Sequence, residues 1–164
     1  MTADLWSLPR EQAQQLRPDD FAVQTTVPTR WRDNDMYGHL NNVLYYEFFD
    51  TAINSWLATA EPGGRVTGTM FVAESSCRYH SELAFPAPVV VAHRVASLGN
   101  SSVTYELGVF GAPGGEIGPL AALGRWVHVH VDPVSHRPAP LPGAVRALLE
   151  RARPPIDREG RGSE

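Results

Sequence analysis

The stretch from Tyr45 to Leu57 limits the folds open to this chain more than any other. Tyr45, Phe48, Phe49, Ala52, Ile53, Trp56 and Leu57 recur at spacings of three and four, so they share one face of a helix. Glu47, Asp50, Thr51, Asn54 and Ser55 take the opposite face. The apolar face carries the rings of Phe48, Phe49 and Trp56 besides Tyr45, too much bulk for one small helix to cover. A curved sheet is the partner such a face needs. Glu61-Pro62-Gly63-Gly64 then ends the helix.

The rest of the chain supplies that sheet. Phe21 to Trp31 is rich in β-branched residues and predicts a first strand, with Pro28 marking an edge or a bulge. Four extended stretches follow the helix: Thr67 to Leu83, Pro88 to Leu98, Ser101 to Gly111 and Pro119 to Val131. Gly99-Asn100 is a hairpin signal, and short turns between consecutive strands predict an antiparallel meander. The order strand, long helix, then strands is α+β, with a five- to six-stranded antiparallel sheet around one helix. Such a sheet exposes its edges, and a second copy commonly covers them, giving a homodimer, or a homotetramer if dimers pair. Before the first strand, Glu11 to Arg17 predicts a short, polar, peripheral helix. After the last, Gly143 to Arg151 predicts another, and Ile156 to Glu164 a frayed tail. With 164 residues and no linker, the expectation is one domain over 1–164, its core about 21–142.

Composition narrows the partners. Eighteen acidic residues against 14 Lys and Arg give a net charge of -4, which provides no general attraction to nucleic acid or to anionic lipid. No apolar run is long enough to span a bilayer and the N-terminus does not read as a signal peptide, so a cytoplasmic location is the default. A single cysteine, Cys77, allows neither an intrachain disulfide nor a Cys-rich metal site and reads as a small core or interface residue.

The chemistry sits directly before the helix, in TRWRDNDMYGHLNN from Thr29 to Asn42. A carboxylate, an imidazole and a helix N-terminus come together there within a few residues, the pattern of an active-site segment. Asp35 reads as a turn residue or as a base or nucleophile; Asp33 reads as a structural turn acid. His39 either orients the loop or takes part in catalysis. Asn41 and Asn42 are helix caps, a role compatible with a backbone oxyanion hole. Gly38 permits close backbone approach. Tyr45 and Tyr46 read as packing residues or as a lining for an acyl pocket. Glu47 is a rival carboxylate, although a solvated or dimer-facing position suits it better. Glu74 is ambiguous between an edge and a pocket. His128, His130 and Asp132 alternate along one strand; a polar outer face explains them better than a metal site.

RWRDNDMYGHLNNVLYYEFFD resembles the signature of hotdog-fold acyl-CoA thioesterases of the hydroxybenzoyl-CoA thioesterase type: D-x-D, a short gap, G-H-x-N-N, then an aromatic-rich helix. It is also similar to the D-x-x-x-H-x-N-N stretch of plant acyl-carrier-protein thioesterases. The C-terminal VHVHVDPVSHRPAPLP is similar to the last strand of the family and its Pro-rich exit. The resemblance runs from about Phe21 to Pro142. It implies the hotdog fold, no metal and no organic cofactor. It also implies Asp35 as the catalytic carboxylate, with His39 as a second catalytic candidate. A backbone N–H near Asn42 would polarise the thioester carbonyl. The plant enzymes have Asn where this chain has Tyr37. Tyr37, Gly38 and Tyr45 fall where substrate would lie. In the hydroxybenzoyl-type enzymes basic residues near the third-to-fourth strand turn hold the cofactor phosphates; here that turn offers Ser101 and Ser102 and no Lys or Arg. The expected substrate is a small-molecule acyl-CoA. The rivals are an acyl-carrier-protein thioesterase and a non-catalytic acyl-thioester-binding protein.

Overall fold

A computed structural model describes residues 4–64 and 68–154. The expected tail from Ile156 lies outside the described residues. Five strands form one antiparallel sheet: β1 (Val23–Val27), β2 (Thr69–Tyr79), β3 (Val89–Leu98), β4 (Ser102–Gly111) and β5 (Leu120–Val131). The helices are α1 (Arg10–Ala13), α2 (Leu44–Leu57) and α3 (Gly143–Arg151). This is the α+β hotdog arrangement, with α2 lying against one face of the sheet.

The strand order is β1-β3-β4-β5-β2. A meander holds for β3 to β5 only. β2 pairs with β5 and not with β3, so it becomes an edge. β1, the other edge, stops before Pro28, which has no N–H to give to a ladder.

Residues paired across antiparallel strands share a face. One such row runs Val23, His93, Leu107, Gly124, Cys77, and it lies on the inner face, under α2. Phe49 settles into the gap at Gly124, where a Cβ would stand 2.5 Å from the ring. Phe49, Ile53 and Leu57 are completely buried against Val91, Leu107 and Val109, as the sequence spacing requires. Each such side chain contributes about 2 kcal/mol by leaving water. α3 adds Val145, Leu148 and Leu149 to the same core, and the Val95 N–H donates to the Ala152 carbonyl just past its end (2.9 Å).

The N-terminal segment corrects an expectation. It is not a polar, peripheral helix. Leu5, Ala13 and Leu16, with Phe21, are buried on the outer face of the sheet against Val90, Phe110, Leu120 and Leu123. α1 is only one turn long, and short 3-10 turns flank it at Leu5–Ser7 and Pro18–Asp20. The apolar residues there follow no helical period because successive turns, and not one helix, deliver them to the sheet.

Candidate active site

The segment before α2 is a loop closed at its base by Asp33. This carboxylate is 2 % exposed. It accepts from the Arg30 N–H (2.7 Å) and from Arg30 Nε (3.1 Å), while its carbonyl accepts from the Asn41 N–H (2.9 Å). Arg30 also reaches Glu47 (3.1 Å), so that exposed carboxylate is engaged on the solvent side of α2. Above this base, Asn34 bridges to Leu40 and the Asp35 N–H donates to the His39 carbonyl (2.8 Å). Gly38 turns the chain at φ 83°, a conformation that other residues rarely take.

Asp35 shapes its own loop. Its Oδ1 accepts from the Tyr37 N–H (2.8 Å) and, at 3.4 Å, from the His39 N–H. Oδ2 has no hydrogen-bond partner among the described residues, and the side chain is half-buried. One oxygen is structural and the other is open for chemistry.

At the head of α2, Asn41 and Asn42 have separate tasks. Asn41 Oδ1 accepts from the Val43 N–H (3.2 Å) and its carbonyl from the Leu44 N–H (3.0 Å), so Asn41 organises the turn. The Asn42 side chain caps nothing. Its carbonyl accepts a hydrogen bond from the Tyr79 hydroxyl (2.7 Å), while its N–H has no acceptor among the described residues. A backbone donor pinned in place and left open is what an oxyanion hole requires.

A hollow of about 290 Å³ opens beside it, lined by His39, Asn42, Tyr45, Tyr79, His80 and Glu82 among others. His39 Nε2 lies 3.6 Å from Glu82 Oε2, too long for a direct hydrogen bond. Tyr45 meets Tyr79 edge to face (5.1 Å). Burial, and then Cys77, push the Tyr45 hydroxyl up to about 12. Burial and Cys77 raise Tyr79 as well, so its hydroxyl stays a donor. Burial lifts Cys77 to about 11, which keeps it a thiol and removes it as a nucleophile near neutral pH.

Tyr79, His80 and Glu82 are not among the sequence candidates. Tyr79 is 37 residues from Asn42 and meets it only because the end of β2 passes the head of α2. The one signal is alternation: Ser75, Cys77 and Tyr79 fall on the same face of β2.

Not every candidate reaches the hollow. Asp35 lies in the adjoining loop. Tyr37 is 77 % exposed and, like the exposed Met36, does not line the hollow. Ser101 and Ser102 sit at the opposite end of the sheet. Ser102 pairs with Val129, whereas Val109, seven residues further along β4, shares the Ala122 row with Tyr79. At about 3.4 Å per residue this is a separation of about 24 Å within one subunit. The turn they belong to is tied down by Arg146, which donates to the Gly99 carbonyl (2.6 Å).

The histidines of β5 correct a second expectation. His128 and His130 are buried, at 2 % and 8 % exposure, on the inner and not on a polar outer face. His130 Nδ1 lies 3.0 Å from the Ala139 carbonyl. Glu74 is on the outer face and pairs with Arg125 (3.0 Å). Among the described residues no group of three His, Cys, Asp or Glu side chains could hold a metal ion. Nor is any described helix long and apolar enough to cross a membrane.

The fold and site define a hotdog protein with an open backbone donor at the head of its central helix. The thioesterase-like superfamily matches residues 29–149, and the chain belongs to that family. It is similar to the PA5185 protein of Pseudomonas aeruginosa strain PAO1, with 40% identity over 83% of this chain and 94% of that one (TM-score 0.75). It is also similar to a thioesterase from Thermus thermophilus complexed with coenzyme A and Zn, with 31% identity over 82% and 97% (TM-score 0.69). A third likeness is PA2801, a thioesterase candidate from Pseudomonas aeruginosa, at 30% identity over 77% and 97% (TM-score 0.67). No curated protein matches. Acyl thioester hydrolysis is the activity to which family and neighbours point.

Proposed function

We propose that this protein is an acyl-CoA thioesterase with Asp35 as its catalytic carboxylate. The observation that carries this is the open Asn42 N–H at the head of α2, on a residue whose carbonyl the Tyr79 hydroxyl holds, a few residues from an Asp35 oxygen with no partner. A thioester carbonyl seated against that N–H gains negative charge on its oxygen during attack, and the donor stabilises it. Asp35 Oδ2 either takes a proton from the attacking water or attacks the carbonyl carbon to form an anhydride that water then opens. The thiolate leaves and is protonated. His39 borders the hollow and supplies a second polar group.

A single subunit does not complete this site, and a homodimer is part of the proposal. β2 presents a long open edge, with Phe71 and Val72 exposed, and Trp31, Met36, Tyr37 and Val43 are exposed as well. Two copies of β2 paired antiparallel about their midpoint, near Glu74, set the Thr69 end of one beside Tyr79 of the other. The β3–β4 turn lies toward that Thr69 end, so Ser101 and Ser102 of the partner subunit approach the hollow. Substrate then lies between two chains.

The test is thiol release from a panel of short, long and aromatic acyl-CoA esters, wild type against Asp35→Ala. We expect the variant to lose about 100-fold or more on the best substrate. A rate within a few-fold of wild type sinks the assignment.

A further inference from the structure

Tyr79 and His80 wall off a second hollow from the first. It has a volume of about 250 Å³ and is bounded by Leu8, Arg10, Ala13, Arg78 and Leu123. Its basic side chains come from parts of the sequence far apart. Arg10, at the start of α1, donates through its two terminal nitrogens to the carbonyls of Tyr79 (3.3 Å) and His80 (2.7 Å). Arg78 donates to the Trp6 carbonyl (2.5 Å) and lies over the Trp6 ring at 4.1 Å. These contacts fix both guanidinium groups and leave most of their N–H donors open. Arg30, Arg94 and Arg125 each have a carboxylate within 3.1 Å; among the described residues Arg10 and Arg78 have none at ion-pair distance. Between them His80 has both ring nitrogens buried and without a partner. Burial first, then the charges of Arg10 and Arg78, lower its pKa and keep it neutral, with one N–H to give.

We propose that Arg10, Arg78 and His80 form an anion pocket that holds a phosphate group of the thiol carrier. Guanidinium forks suit phosphate oxygens, and two positive charges with no carboxylate in reach leave the pocket a net cation. The proposal rests on the thioesterase reading. It supplies the anion-holding function that the β3–β4 turn, without Lys or Arg, lacks. The shared chemistry is a phosphate ester, carried both by CoA and by the phosphopantetheine arm of a carrier protein.

One acyl group offered on three thiols tests it: CoA, phosphopantetheine and phosphate-free pantetheine. For Arg10→Ala and Arg78→Ala we expect kcat/KM on the phosphate-bearing esters to fall roughly tenfold further than on the pantetheine ester, mainly through KM. If CoA and phosphopantetheine esters lose equally, the phosphate next to pantetheine is the one held. If only the CoA ester loses, the nucleotide phosphates are held. Equal losses on all three thiols, or none, overturn the pocket. Because Arg78 also anchors Trp6, Arg10→Gln serves as a second variant that keeps hydrogen-bonding capacity to β2 without the charge. Should wild type release no thiol at all, the thioesterase reading fails separately. Calorimetric titration with pyrophosphate then decides: weaker binding by Arg10→Gln upholds the pocket, and binding equal to wild type, or none by wild type, overturns it.

Discussion

On the outer face of the sheet, Arg94 and Glu106 lie 2.8 Å apart under the N-terminal segment, and the Trp6 N–H donates to the same carboxylate (3.0 Å). On the inner face, one residue along each strand, His93 and Tyr105 are equally buried, yet neither ring nitrogen of His93 nor the Tyr105 hydroxyl has a partner among the described residues. Trp126 Nε1 and His128 Nδ1 are in the same state nearby. The rings stack edge to face in a chain, Trp56 to His93 to Tyr105 to His128 to Trp126. Buried charge on the outer face is therefore held in a neutralised pair. The inner face holds His93, Tyr105, His128 and Trp126 by ring packing, with both histidines in neutral form. Burial alone brings His93 and His128 down to about 4, whereas Glu106 is raised by burial and Asp4 and pulled back by Arg94 and the Trp6 N–H.

The contrast can be broken at several points, most strongly at the outer pair. Glu106→Ala removes a buried carboxylate from Arg94 and should destabilise by about 3 kcal/mol or more in urea unfolding. A loss under about 1 kcal/mol would mean that the pair is not a structural element.

Acid probes the inner face next. His93 and His128 have folded pKa values below their unfolded value, so the unfolded chain takes up protons first. Their contribution is complete above about pH 6.5 and is lost as pH falls toward 4, by up to about 3 kcal/mol each. Glu106 has the opposite sign: its raised folded pKa gives a contribution present below the unfolded value and lost as pH rises. His93→Phe should flatten the unfolding free energy between pH 7 and 4.5; an unchanged slope would rule out a neutral, buried His93.

Smaller effects follow. Tyr105→Phe deletes a hydroxyl that has no partner, so stability should hold or rise by up to about 1 kcal/mol, where a bonded buried hydroxyl would cost stability. Glu74→Ala removes a half-exposed partner of Arg125 and should change the melting free energy by about 0.5 kcal/mol or less.

The inner face is legible in the sequence where period and chemistry agree. Helical spacing alone places Phe48, Phe49, Ile53 and Leu57, and β3, β4 and β5 start within one residue of their expected positions. The pairing of β2 with β5 is not legible, because alternation along a strand says nothing about its neighbour. His128 and His130 mislead for a related reason. Period two separates the faces of a strand without saying which one faces the helix, and polar residues are usually outside. The outer cover of Leu5, Ala13 and Leu16 is hidden because it is assembled from turns. Within the site, the Asp35-to-Asn42 loop can be read because it is local. Tyr79, His80 and Arg10 cannot, since their meeting depends on where the end of β2 lies.

Phe49 over Gly124 gives the site a reference point. A helix of this length behaves as a rod, and the seat at Gly124 fixes both its height along β5 and its rotation. From Phe49 back to Asn42 is about 10 Å, so a tilt of about 3° moves the backbone donor by about 0.5 Å, near the tolerance of a catalytic constellation. Only a residue without a Cβ keeps the rod level, since a single carbon there would meet the ring at 2.5 Å. In the proposed mechanism the alignment of the reacting atoms is thus set on the floor of the sheet, two turns of helix away, by a residue that touches no substrate.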